Sequence, residues 1–167
     1  MGYREHKQEA PQSVSCAVIT ISDTRTEEND ESGRLIIRAL KDNGHQVIAY
    51  AILKNEAALI LSKLKELLAQ EGLQVIITSG GTGASHLDVT VDTVTPILEK
   101  RLDGFGELFR FLTYQEIGTA SIMSRAIGGV ARGKVILCLP GSSSAARLAM
   151  NRIILPELGH LVREATR

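Results

Sequence analysis

Tryptophan is absent from this 167-residue chain, and tyrosine and phenylalanine occur only three times each. The aromatic platforms on which single-stranded nucleic acid stacks are therefore poorly supplied. An excess of positive charge is missing as well: 19 basic residues balance 19 acidic ones, so no overall field draws in nucleic acid or an anionic membrane. Neither is expected as a partner, and any anionic ligand must be met by local groups. Cysteine occurs twice, at Cys16 and Cys138, each inside an apolar run. Both read as small core residues rather than a bridge, which fits a reducing compartment. The four histidines have no Cys or His partners at ligand spacing, which argues against a structural zinc site.

What remains is an ordinary globular composition. A chain of this length with 44% hydrophobic residues is the size of one domain and can bury a core without staples. The first dozen residues are polar and mixed in charge, unlike a signal peptide or a membrane anchor. Residues 1–12 read as a flexible arm, 13–167 as the domain, and the protein as cytoplasmic.

The pattern along the chain is that of an α/β protein. Residues 14–22 form a nearly unbroken β-branched apolar run, as in strands covered on both faces. A polar loop over 23–32 leads to a helix from Gly33, with Leu35, Ile36, Ile37 and Leu40 on one face and Asn43-Gly44 as its stop. A second strand over 47–53 precedes a helix capped by Asn55, and a third strand over 75–78 runs straight into glycines. Parallel neighbours need crossover helices, so this alternation predicts a doubly wound α/β fold with a mostly parallel sheet. Beyond it, 91–102 reads as a helix made irregular by Pro96, and 104–113 as helical. Residues 121–125 carry no secure assignment. A strand over 134–139 follows, then helical periodicity over 144–154 and a last short helix from Pro156.

The strongest chemical signal is Ser79-Gly80-Gly81-Thr82-Gly83 at the end of the third strand. Glycines there let backbone N–H groups approach an anion, and the hydroxyls add donors. Ligands of open α/β sheets bind at this edge. The loop matches neither the P-loop nor the dinucleotide fingerprint. A glycine turn without a ligand is the bland alternative, less fitting for so long a run of small residues. Two other strand ends repeat the pattern, Ser22-Asp23 and Pro140-Gly141-Ser142-Ser143-Ser144, and in a parallel sheet all three loops share one edge. Asp88 stands where a carboxylate can hold Mg²⁺ beside phosphates, or equally where a helix favours an acidic first turn. Asp92 fits the helix-charge reading better. His86 reads as a lone surface residue. Among the arginines only Arg125, beside Ser124 in a polar stretch, suits an anion.

Several motifs in order give the chain a resemblance to the MoaB/Mog family of molybdenum cofactor biosynthesis proteins. They are Ile21-Ser22-Asp23, Asp30-x-Ser32-Gly33, the glycine loop, Asp88-Val89-Thr90, Gly104-Phe105-Gly106-Glu107, Glu116-Ile117-Gly118-Thr119, Ser124-Arg125-Ala126 and Leu139-Pro140-Gly141-Ser142. The resemblance implies a three-layer α/β/α sandwich, molybdopterin as ligand, a homotrimer or homohexamer, and adenylation of molybdopterin by MgATP with release of pyrophosphate. The glycine loop (Ser79, Gly80, Gly81, Thr82, Gly83), Ser22 and Asp23 would then surround the nucleotide and terminal phosphate, and Asp88 would be catalytic and hold Mg²⁺. Glu116, Ser124 and Arg125 would face the pterin, with Gly141 and Ser142 at the rim near the adenylate. Three positions depart from the adenylyltransferase pattern: Leu53-Lys54-Asn55 stands where Pro-Asp is usual, Leu87 where an arginine is, and Ser142-Ser143 where Asn-Pro is. These departures keep a second reading open, a molybdopterin carrier or assembly protein without turnover.

Overall fold

The computed structural model describes residues 9–167. Of the arm expected over 1–12, the first eight residues lie outside that range. Residues 9–12 lie against the last helix, where Glu9 pairs with Arg163 and the Pro11 carbonyl leaves no space for a Cβ on Gly159.

Six strands form one sheet: β1 (Ser15–Ile21), β2 (Gln46–Leu53), β3 (Val75–Ser79), β4 (Lys100–Arg101), β5 (Ile127–Ala131) and β6 (Lys134–Leu139). Their order is β2-β1-β3-β6-β5-β4. The first four are parallel, and β5 and β4 complete one edge in antiparallel fashion. Helices α1 (Glu31–Asp42), α2 (Ala57–Ala69), α3 (Thr90–Val94), α4 (Asp103–Ile117), α5 (Ser143–Ala149) and α6 (Leu155–Ala165) cover both faces. The mostly parallel sheet is the one that the alternation of elements predicts, and the three layers are those that the family resemblance implies.

Alternation along β1 sorts the core into two halves. Cys16 and Val18 point to a cluster with Ile36, Leu40, Phe109, Leu112, Ile154 and Leu158, on the α1, α4, α5 and α6 side. Ala17, Ile19 and Ile21 point to the opposite cluster with Ile60, Leu64, Leu67 and Val94, on the α2 and α3 side. Burying each such aliphatic side chain contributes about 1.5–3 kcal/mol, which is why a strand apolar on both faces belongs in the sheet's centre. Cys16 and Cys138 are buried and free, and burial pushes both thiols up to about 12, as inert core residues require.

Four local expectations need correction, and one strand, β5, has no counterpart among them. The helix α1 starts at Glu31, not Gly33, because Asp30 caps it: its carboxylate accepts from the Gly33 N–H at 3.0 Å. The cap expected of Asn55 is absent, and α2 begins after Glu56 with no side-chain cap. The helix expected over 91–102 is three elements, α3, a 3₁₀ turn at Thr95–Ile97 and β4. Pro96 explains the break, since it lacks an N–H and its ring clashes with a carbonyl one turn back. The strand β5 carries Gly128-Gly129, which hides the strand pattern, yet a Cβ at Gly129 would sit 2.6 Å from the Lys100 carbonyl oxygen. Its link to β6 is tight, with positive φ at both Arg132 (51°) and Gly133 (70°), as hairpins of the mirror-image type require. The two helices expected around Pro156 are one path joined by a π-turn at Met150–Ile154, in which the Leu155 N–H donates to the Met150 carbonyl. The wider turn makes room for the proline ring.

Candidate functional site

Registers Ile21↔Leu53, Thr20↔Ser79 and Ser79↔Leu139 bring the carboxyl ends of all four parallel strands to one edge. A cavity of about 590 Å³ opens there, walled also by Phe109, Thr113, Glu116 and Ile117 of α4 and by the 3₁₀ turn Gly118–Met123. Its second half, residues 121–123, falls in the stretch 121–125 that carries no secure assignment from sequence.

The glycine loop is shaped by contacts no other residue would permit. Gly80 has φ +110°, and a Cβ there would lie 2.1 Å from the Ile21 carbonyl oxygen. Gly81, at φ +67°, faces the Thr90 hydroxyl and the Asn55 carboxamide, at 2.2 and 2.6 Å from its would-be Cβ. At Gly83 the same atom would meet an Asp88 carboxylate oxygen at 2.5 Å. The loop's carbonyls are tied back rather than turned into the cavity. The buried Thr90 hydroxyl donates to Gly80 O at 2.9 Å, and the Thr90 N–H donates to Gly81 O at 3.0 Å. Asp88 accepts from the Ser85 N–H at 3.2 Å, which orients its carboxylate against Gly83.

Ser22, Asp23, Gly80, Gly81, Thr82 and Gly83 all line the cavity, as do Asp88, Glu116, Ser124, Gly141 and Ser142. Ser142 also caps α5, accepting from the Ala145 N–H at 3.2 Å. Asp23 accepts from the Asn55 N–H at 3.0 Å and so joins the β1 and β2 loops. Ser79 and Arg125 are not on the cavity wall. Ser79 is fully buried, its hydroxyl within reach of Ser32 Oγ (3.2 Å) and the Pro140 carbonyl (3.4 Å). Arg125 turns to Asp92, with Nη2 and Nη1 donating to the two carboxylate oxygens at 2.5 and 3.1 Å. Each member of that pair holds the other charged: hydrogen bonding to Arg125 lowers the Asp92 carboxyl, and Asp92 raises the Arg125 guanidinium.

Beneath the loop lies a buried polar network. Asp30, fully buried, accepts from the Thr20 and Tyr50 hydroxyls at 2.6 Å each and from the Gly33 N–H. Ser32 links it to Ser79. The motif Asp30-x-Ser32-Gly33 is thus the footing of the glycine loop rather than part of the cavity wall.

Two residues that sequence reasoning did not place in the site belong to it. Thr90 secures two loop carbonyls, and Asn55 lines the cavity with its Oδ1 buried and without a donor. The signal for Asn55 was available, since it follows a strand that ends at the same edge as the other three. An orphaned buried acceptor in a cavity also lined by Asp23 and Asp88 invites a cation or a donor from a ligand. Among the described residues no cluster of three or more His, Cys, Asp or Glu is arranged to hold a metal, and no helix is long and apolar enough to cross a membrane.

A doubly wound sheet whose strand ends gather glycine and serine loops around a cavity defines a protein that holds a small ligand at its carboxyl edge. The family model described as "Probable molybdopterin binding domain" matches residues 17–160, and the chain belongs to that family. A molybdenum cofactor biosynthesis protein B from Bacillus cereus is 48% identical over 168 residues, covering 100% of this chain and 99% of the relative. A crystal structure of a molybdenum cofactor biosynthesis protein B superposes with a TM-score of 0.90 at 48% identity, over 94% of this chain and 98% of the other. The tungsten cofactor synthesizing protein MoaB from Pyrococcus furiosus superposes with a TM-score of 0.87 at 35% identity, over 95% and 100% of the two chains.

Proposed function

We propose that this chain acts in molybdenum cofactor biosynthesis, holding molybdopterin at the carboxyl edge of the sheet and adenylating it with MgATP. The terminal phosphate of molybdopterin attacks the α-phosphorus of ATP, the bond to the β-phosphate breaks, and pyrophosphate leaves with the electron pair. Such a reaction needs alignment and charge neutralisation more than covalent help from the protein. The observation that carries the reading is the glycine loop itself: Gly80, Gly81, Thr82 and Gly83 line the cavity at the carboxyl edge, and close packing against Ile21, Thr90, Asn55 and Asp88 holds the backbone at the three glycines in a path that only glycine allows.

Asp88, Asp23 and Asn55 bring hard oxygen donors to the cavity lining, and they fit Mg²⁺ better than a soft metal. Bound there, Mg²⁺ would neutralise phosphate charge. Glu116 and Ser124, both in the cavity lining, suit the pterin, and Gly141 and Ser142 suit the adenylate rim. Leu108, Phe111, Tyr114 and Ile117 of α4, with Ile122 and Met123 beyond it, expose a large apolar surface, which supports self-association as a homotrimer or homohexamer. Two buried, unbridged cysteines are in keeping with a cytoplasmic protein.

One observation favours the carrier alternative. Asn55 is a neutral amide where a second carboxylate would sharpen the metal site. The two readings part in an assay of pyrophosphate release by the purified protein with Mg²⁺ and ATP. Release only when molybdopterin is added supports the transferase; tight molybdopterin binding without release leaves the carrier.

A further inference from the structure

Among the described residues, no lysine, arginine or histidine lines the cavity, whereas Asp23, Asp88 and Glu116 do. A phosphate-bearing ligand entering it meets three carboxylates and no side-chain cation. Arg125 stands just behind the wall. It follows the cavity-lining Ser124, its Nη1 donates to the Gly83 carbonyl at 3.4 Å, and the Asp88 charge reaches its guanidinium. Its backbone is fixed, because the Arg125 N–H donates to Thr82 O at 3.1 Å. Only the side chain would have to turn.

What holds that side chain away is Asp92, in the first turn of α3. An acidic first turn explains a favourable charge but not a two-pronged grip on one particular arginine, and α3 has only five residues. The grip is also exposed, with 36% of the Arg125 side chain and 65% of the Asp92 side chain accessible. Exposed ion pairs are weak and screened by salt, so this one is too slight to anchor the fold and easily exchanged. A phosphate presents a guanidinium with the same paired oxygens that a carboxylate does.

We infer that Asp92 is the resting partner of Arg125, and that a phosphate-bearing ligand draws the guanidinium off Asp92 and into the cavity. The inference rests on the anion-holding reading of the site proposed above. Asp92 thereby sets the affinity for anionic ligands by competing with them, and removing it strengthens binding, the opposite of what loss of a structural brace would do.

The test is a four-member cycle read by calorimetric titration with inorganic pyrophosphate at low salt, in chelator to exclude divalent cations. The members are wild type, Asp92→Asn, Arg125→Gln and the double variant, with Asp92→Ser as a second removal and circular dichroism as the folding control. Asp92→Asn should bind pyrophosphate about two- to fivefold more tightly than wild type, the range that release from an exposed ion pair allows. Arg125→Gln should bind more weakly, the double variant should match Arg125→Gln, and the gain should shrink at high salt. Unchanged or weaker binding by both Asp92 variants overturns the inference, as does a gain that survives in the double variant. Equal pyrophosphate binding by all four removes the exchange alone; no binding by any of them removes the anion-holding reading with it.

Discussion

Asp30→Asn removes one charge from beneath the glycine loop while keeping the side chain's shape, and it puts a number on the buried network. In the wild type, Oδ2 accepts from Thr20 and Tyr50 at 2.6 Å each, while Oδ1 accepts from the Gly33 N–H at 3.0 Å. An amide has one acceptor oxygen. If that oxygen keeps the helix cap, the NH₂ group faces two hydroxyls that were donating to it. Hydrogen bonds to charged groups contribute about 1.5–3 kcal/mol each, so losing two short ones should cost about 3 kcal/mol. Against a total stability of about 5–15 kcal/mol the variant still folds. Urea unfolding at neutral pH should show a midpoint lowered by about 1.5 M, for a slope of about 2 kcal/mol/M, with the slope itself unchanged. The gap must also depend on pH in one direction. Burial pushes the Asp30 carboxyl up, but the hydrogen bonds from Thr20, Tyr50, Gly33 and Ser32 outweigh it and leave the group below the ordinary carboxylate range. Its contribution is therefore complete above the unfolded pKa of about 3.9 and is lost as pH falls through the folded value. The wild type and Asp30→Asn should converge below about pH 4. A loss under about 1 kcal/mol at neutral pH, or a gap that widens on acidification, would refute the reasoning.

Gly81→Ala must bear a left-handed backbone costing about 1–2 kcal/mol, besides a methyl 2.2 Å from the Thr90 hydroxyl oxygen. It should keep a native circular dichroism spectrum yet lose molybdopterin binding, and titration of the folded variant checks this. Asn55→Asp adds a carboxylate beside Asp23, so Mn²⁺ titrated alone should bind at least about tenfold more tightly, by paramagnetic relaxation. Phe111→Glu places a charge on the exposed apolar face of α4 and should shift the protein to monomer in size-exclusion chromatography with light scattering.

The parallel half of the sheet is readable in the sequence because strands buried on both faces are nearly continuous apolar runs, as in β1, β3 and β6. Their loops announce themselves by glycine and serine, and sharing one edge follows from parallelism alone. The antiparallel edge is hidden because β5 spends two positions on glycine and β4 has only two residues. Asn55 reads as a helix cap because that is the commonest local use of its side chain, while its actual surroundings are set by Gly81 and Asp23, far away in sequence. Asp92 and Arg125 are 33 residues apart, and no local pattern predicts their pairing. Ligand chemistry as broad as "phosphate-bearing" follows from the loops; molybdopterin does not, and rests on the motifs in series and the family they define.

The most direct test of the central claim is single-turnover adenylylation by rapid quench, with protein in excess over molybdopterin, labelled ATP and Mg²⁺, in wild type and Asp88→Ala. The account predicts equal amounts of adenylylated molybdopterin and pyrophosphate from the wild type, and neither from a folded Asp88→Ala. Molybdopterin that stays bound to the wild type while the ATP remains intact would contradict it.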